Sequence, residues 1–297
     1  MNVSIPIAVC VIALLTPQFM CWNICKKEFF KAFKKPLPLI VIMLSNWFIS
    51  PLTGILSASI FLTANLSFKL GVSLLFLGPS ISMVIYWNKL AGGSQNLVMT
   101  ATLLNLILII AVYPLAAYIL IGLIAVWVPL EIVFLTIIVF FLTPLLIGLL
   151  LRMRFRINVV SGDTQLPVNR VPDKISVTAF FTLILVLYVI QSENILLHML
   201  DFIILSIPII FGYMLVYVIV SVLCFITRLS QAESATAIIV GSGNQYELAI
   251  AASAIIFGVQ SSVAFAVSIG PLLEAPLMLL VIAIIYRLSG LRSSKKL

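Results

Sequence analysis

The sequence predicts an all-α integral membrane protein of about nine transmembrane helices, two of them interrupted near mid-membrane, arranged as inverted repeats. Three observations carry this. First, 63% of residues are hydrophobic and only 9% charged, with a mean hydropathy of +1.28, far outside the soluble range of about 45 to 50% apolar and 25% charged. Second, almost the whole chain divides into apolar runs close to the roughly 20 residues that a helical span requires, which leaves little for a soluble domain. Third, one run contains Gly241-Ser242-Gly243-Asn244-Gln245-Tyr246-Glu247. Glycine costs about 1 kcal/mol in a helix interior and a mid-membrane carboxylate roughly 3 kcal/mol, so this run reads as two half-helices meeting at a polar centre.

The nine runs cover residues 2–22, 37–62, 69–88, 96–121, 127–151, 175–192, 200–226, 233–257 and 262–286. Their alternate connections collect sixteen of the seventeen Lys and Arg residues, and only Lys69 falls on the other side. That is the positive-inside asymmetry. It places the N-terminus outside and the C-terminus in the cytoplasm of a multi-pass plasma-membrane protein, and it assigns the net charge of +8 to topology and lipid, not to nucleic acid. The first run follows no basic region and precedes no small-residue cleavage pattern, so it reads as a retained span. Residues 1–122 form a first repeat, 123–174 the fifth span and a cytoplasmic linker, and 175–297 a second, inverted repeat.

In chain order, the first run ends in Cys21-Trp22-Asn23-Ile24-Cys25. Cysteines four apart share a helix face, which suits either a bridged soft metalloid or ordinary small apolar packing. The four cysteines form no CxxC pair and no zinc spacing, so no disulfide framework, metal or cofactor is implied. The second run holds Asn46, Trp47, Pro51 and Gly54, with Asn46 reading as an interhelical hydrogen-bonding group. The third is interrupted by Gly78-Pro79-Ser80-Ile81-Ser82. Proline removes a donor and clashes with the carbonyl four residues back, giving either a simple kink or a second broken helix. The third run of the first four and the third of the last four are both interrupted, in opposite orientations, and such pairing points to a transporter site.

At about 1.5 Å of rise per residue, Ser80, Asn105 and Glu274 lie roughly 14 to 18 Å from one end of their runs, near the midplane with Glu247. The fifth run carries Glu131, Pro144 and Gly148 without evident chemistry. Loop 152–174 divides the halves, and His198, with Glu193 and Asp201 in an outer connection, reads as a solvated interface residue. The last run holds Gly270-Pro271-Leu272-Leu273-Glu274-Ala275-Pro276. Glu274 is either functional, as intramembrane ionisable groups are by default, or a structural carboxylate satisfying donors that the prolines free.

The segments Ser80 to Leu90, Asn244-Gln245-Tyr246-Glu247-Leu248-Ala249-Ile250-Ala251 and Gly270 to Pro276 resemble, in order and spacing, the signatures of the arsenical-resistance permeases of the bile acid:sodium symporter superfamily. The resemblance covers nearly the whole chain. It implies a panel domain and a core domain with two crossed discontinuous helices, elevator-like alternating access, and arsenite extrusion driven by inward proton flow. It also implies that the usual first span is absent. Where that family has a cysteine at the first broken helix, this chain has Ser80, and a hydroxyl is no soft thiolate ligand. The positions where sodium-coupled members place a glutamate and an asparagine read Ile239-Val240 and Met83, which supply no oxygen for a hard cation, so protons are favoured over sodium.

The expected site therefore contains Ser80, Asn105, Asn244, Gln245 and Glu274 as substrate-binding groups, Glu247 as the proton-coupling group, and Gly78, Pro79, Gly241 and Gly243 as the helix-breaking residues. The helix dipole favours a charged Glu247 while desolvation favours a neutral one, a balance suited to proton exchange with a small-molecule or metalloid substrate. The alternative is a sodium-coupled symporter of an organic anion. An intramembrane enzyme finds no DDxxD, HExxH or nucleophile–histidine pairing. A receptor or scaffold that retains the fold without flux stays open, as does the oligomeric state.

Overall fold

The computed structural model describes residues 36–81, 83–124, 143–154, 199–244 and 246–294, with single helical positions at Glu131, Thr178, Thr182, Leu185, Val189 and Ser192. The runs expected at 2–22, 127–151 and 175–192 lie wholly or largely outside the described residues, as do Cys21, Cys25, loop 155–174 and His198.

The first described helix, α1 (Pro36–Phe61), is built inside out. Leu37, Ile40, Leu44, Phe48, Leu52, Leu56 and Ile60 are exposed along one stripe, while Ser45, Asn46, Ser50, Thr53 and Ser57 are buried on the other. A soluble helix buries its apolar stripe; a helix in lipid turns that stripe outward and keeps polar groups within the protein. Its centre is a π-helical turn, Ser45–Ile49, in which the Ser50 N–H donates to the Ser45 carbonyl. Pro51 is the cause, because its ring crowds the carbonyl of Trp47, and a widened turn relieves that clash.

The run expected at 69–88 is two short helices, α2 (Leu66–Leu75) and α3 (Val84–Leu90). Helix α2 starts earlier than expected because the Asn65 side chain caps it, accepting from the Phe68 N–H at 3.0 Å. Helices α4 (Gln95–Ile124), α5 (Thr143–Arg154) and α6 (Met199–Ile226) follow. The run expected at 233–257 is also divided, into α7 (Gln231–Ser242) and α8 (Tyr246–Phe257). A capping box between Ser230 and Glu233 starts α7, each residue satisfying a donor of the other's backbone. Short α9 (Ser262–Ser268) leads into α10 (Gly270–Ser294). Among the described residues, four stretches are long and apolar enough to cross a membrane: Pro36–Phe61, Gln95–Leu120, Met199–Ile226 and Ser262–Arg287.

Phe76, at the end of α2, is the packing centre. Its ring is fully buried in a slot formed by Gly54 of α1 and Gly212 of α6. A Cβ at Gly54 would overlap the Phe76 Cβ, and one at Gly212 would lie 2.6 Å from the ring's Cζ. Tyr213 closes the slot, its ring 5.1 Å from that of Phe76 between centroids. Two glycines thus let α1 and α6 approach α2 closely, the small-residue packing that membrane helices use.

Candidate functional site: a crossing of two broken helices

Where a helix breaks in an apolar bundle, its backbone polar groups need partners. Here the two breaks supply them to each other. Pro79 and Asn244 form an isolated antiparallel bridge, and the Ser80 N–H donates to the Gly243 carbonyl at 3.1 Å. Gly243 is extended, with φ −82° and ψ 142°. A Cβ there would stand 3.0 Å from the Ser80 Cβ, so glycine lets the strands close. The crossing is buried: Ser80 is 3% and Asn244 1% exposed.

The π-helical turn of α1 holds the crossing from the side. Ser45 Oγ donates to the Gly241 carbonyl at 2.7 Å, in the last turn of α7. Ser50 Oγ shares its proton between the Phe76 carbonyl, at the C-terminal end of α2, and Asn244 Oδ1, at 3.0 and 2.9 Å. Helix C-termini leave carbonyls without intrahelical partners, and these two serines cap one half-helix each. The wide turn makes this possible. Residues five apart diverge by about 140° on an α-helix, whereas i and i+5 close one turn of a π-helix.

Several residues expected at the site meet here: Pro79, Ser80, Gly243 and Asn244, with Gly78 just before the bridge. Gly241 is a correction. It lies inside α7, buried and helical, and the break falls at Gly243. Its lack of a side chain serves close approach, since a Cβ would come 2.9 Å from Ser45 Oγ. Asn105 is fully buried but bonded elsewhere, accepting from Trp47 Nε1 at 3.2 Å. Glu274, 3% exposed, accepts from the Tyr213 hydroxyl at 2.9 Å, which joins it to the Phe76 slot. Glu247 occupies the first turn of α8 by its backbone, and Gln245 lies outside the described residues. Asn46 corrects a further expectation: buried, it has no hydrogen-bond partner among the described residues at either end of its amide.

Sequence reasoning missed Ser45, Ser50, Phe76 and Tyr213. The signal for the first two was present, in serines five apart ahead of Pro51 in an apolar run. Phe76 and Tyr213 carried none, since both look like ordinary span residues.

Two broken helices stitched together inside an apolar bundle are the architecture of a membrane transporter. Residues 8–199 match the family described as the Sodium Bile acid symporter family, and the chain belongs to it. It is 27% identical to the Arsenical-resistance protein Acr3 of Alkaliphilus metalliredigens, over 95% of this chain and 82% of that protein. It is 26% identical to an uncharacterized transporter of Synechocystis sp., over 95% of this chain and 78% of the relative. To the Acr3 of Corynebacterium glutamicum it is 23% identical, over 93% and 77% of the two chains.

Proposed function

We propose that this transporter is a proton-coupled permease that exports arsenite or a similar small metalloid by alternating access. The crossing of the two breaks at Pro79–Ser80 and Gly243–Asn244 carries this reading, supported by the arsenical-resistance names of two relatives that span most of the chain. In it, Ser80, Asn244, Gln245, Asn105 and Glu274 bind substrate, with Ser80 supplying a hydrogen bond where a soft thiolate would otherwise serve. Glu247, in the first turn of α8, exchanges a proton for the solute. The halves, residues 1–122 and 175–297, act as inverted repeats in the plasma membrane, N-terminus outside and C-terminus in the cytoplasm. Sodium-coupled import of an organic anion is the competing reading, favoured by the family's own description.

The test is arsenite accumulation in everted vesicles under an imposed proton gradient and then a sodium gradient. Proton-driven uptake that disappears in Glu247→Gln is the expected outcome. Uptake driven only by sodium, or an unchanged pH dependence in Glu247→Gln, would remove the proton-coupling role. Where arsenite does not move at all, Ser80→Cys asks whether the missing thiol is the reason.

A further inference from the structure

We infer that Asn46 contacts the transported solute directly. The inference rests on the transporter reading above and adds a residue to its site. Asn46 sits in the π-helical turn, between the two serines that cap the half-helices, and is 1% exposed. Its neighbours on the turn are all engaged: Ser45 with Gly241, Trp47 with Asn105, Ser50 with Phe76 and Asn244. Asn46 Oδ1 and Nδ2 have no hydrogen-bond partner among the described residues. Buried polar groups are almost always bonded, because the desolvation they suffer is otherwise uncompensated. A carboxamide orphaned at both ends, one residue from a capping serine, is what a site looks like before its ligand arrives.

Asn105 and Asn244, bonded to α1 at Trp47 and Ser50, each also keep a buried amide nitrogen without a partner among the described residues, so the orphaned carboxamide of Asn46 lies beside further amides with unused hydrogen-bonding capacity.

The probe is arsenite, which near neutral pH is mostly the uncharged trihydroxide, and the main variant is Asn46→Leu, close to Asn in shape. Two quantities are read: the thermal unfolding midpoint of purified protein without solute, and arsenite flux in everted vesicles. If Asn46 is held for the solute, Asn46→Leu unfolds at the same or a higher temperature than wild type, because an unpaired polar group has been removed. Its flux at sub-saturating arsenite falls by roughly tenfold or more, the worth of one to two hydrogen bonds. A midpoint lowered by several degrees would mean that the amide is structural, and wild-type flux would mean that it does not touch solute; either overturns the inference. If Asn46→Leu does not insert, Asn46→Ala is measured for flux alone: a fall of the same size supports the contact, and wild-type flux overturns it.

Where wild type moves no arsenite, the functional reading fails while the midpoint still judges Asn46, an unchanged or higher value supporting a site for another solute. Replacing choline chloride by sodium chloride adds the last arm. A sodium-dependent rise in the wild-type midpoint that Asn46→Leu abolishes would assign the amide to a bound cation and overturn its contact with the solute.

Discussion

The two broken helices cross at one place but are secured in different ways. The break between α2 and α3 is socketed. Its first residue, Phe76, is locked between Gly54 and Gly212, faces Tyr213, and has its carbonyl bonded by Ser50. Among the described residues, the shorter break between α7 and α8 has no such socket. It is held by the backbone of the other break at Ser80 and by the α1 hydroxyls of Ser45 and Ser50. One break is therefore fixed by packing and the other by hydrogen bonds to its surroundings. Disturbing the socket should displace both, while disturbing the hydrogen bonds should loosen chiefly the second, since packing still holds the first.

Gly54→Ala attacks the socket and has the largest expected effect. The new methyl would overlap the Phe76 Cβ, which cannot swing aside without moving the end of α2. Overpacking of this kind costs about 2 to 3 kcal/mol, visible as a lower unfolding midpoint in detergent, with transport lost as both breaks shift. A variant as stable as wild type would show that Phe76 is not locked. Ser50→Ala comes next. It leaves the Phe76 carbonyl and the Asn244 amide short of a partner, at about 1 to 2 kcal/mol. Flux should fall by more than the loss of folded protein explains, and equal falls would mean that Ser50 is only a structural cap. Thr236→Val is the smallest and serves as a control away from the crossing. It removes an acceptor 2.7 Å from the Ser94 N–H, but the Ala232 carbonyl stands 3.3 Å from the same group. Thr236 is buried, so a loss of about 0.5 to 1 kcal/mol with unaltered flux per folded protein is expected.

Both breaks were legible in the sequence for a physical reason. Gly78-Pro79 and Gly243-Asn244 are costly in an apolar helix, so their presence alone called for an explanation. The means of joining them was not legible. Ser50 and Asn244 are 194 positions apart, and Ser45 and Gly241 are 196, and no periodicity encodes a partner at that distance. Pro51 was visible, yet its effect appears one turn earlier as a widened helix, which composition does not register. Glu274 announced itself by charge, while Tyr213, which donates to it, was one aromatic among many. The error at Gly241 has the same root. Glycine marks both a bend and a close approach, and only the Ser45 hydroxyl beside it tells which.

The stitch between the breaks also bears on how such a protein changes its cargo. It runs through main-chain atoms, the Ser80 N–H and the Gly243 carbonyl, and makes no use of the side chain at position 80. Any residue of similar size at that position keeps the scaffold intact while presenting a different functional group to whatever occupies the crossing. If Ser80 binds substrate as proposed, its selectivity is thereby uncoupled from folding, and a hydroxyl and a thiol could replace each other in a single mutational step, with the new specificity open to selection at once.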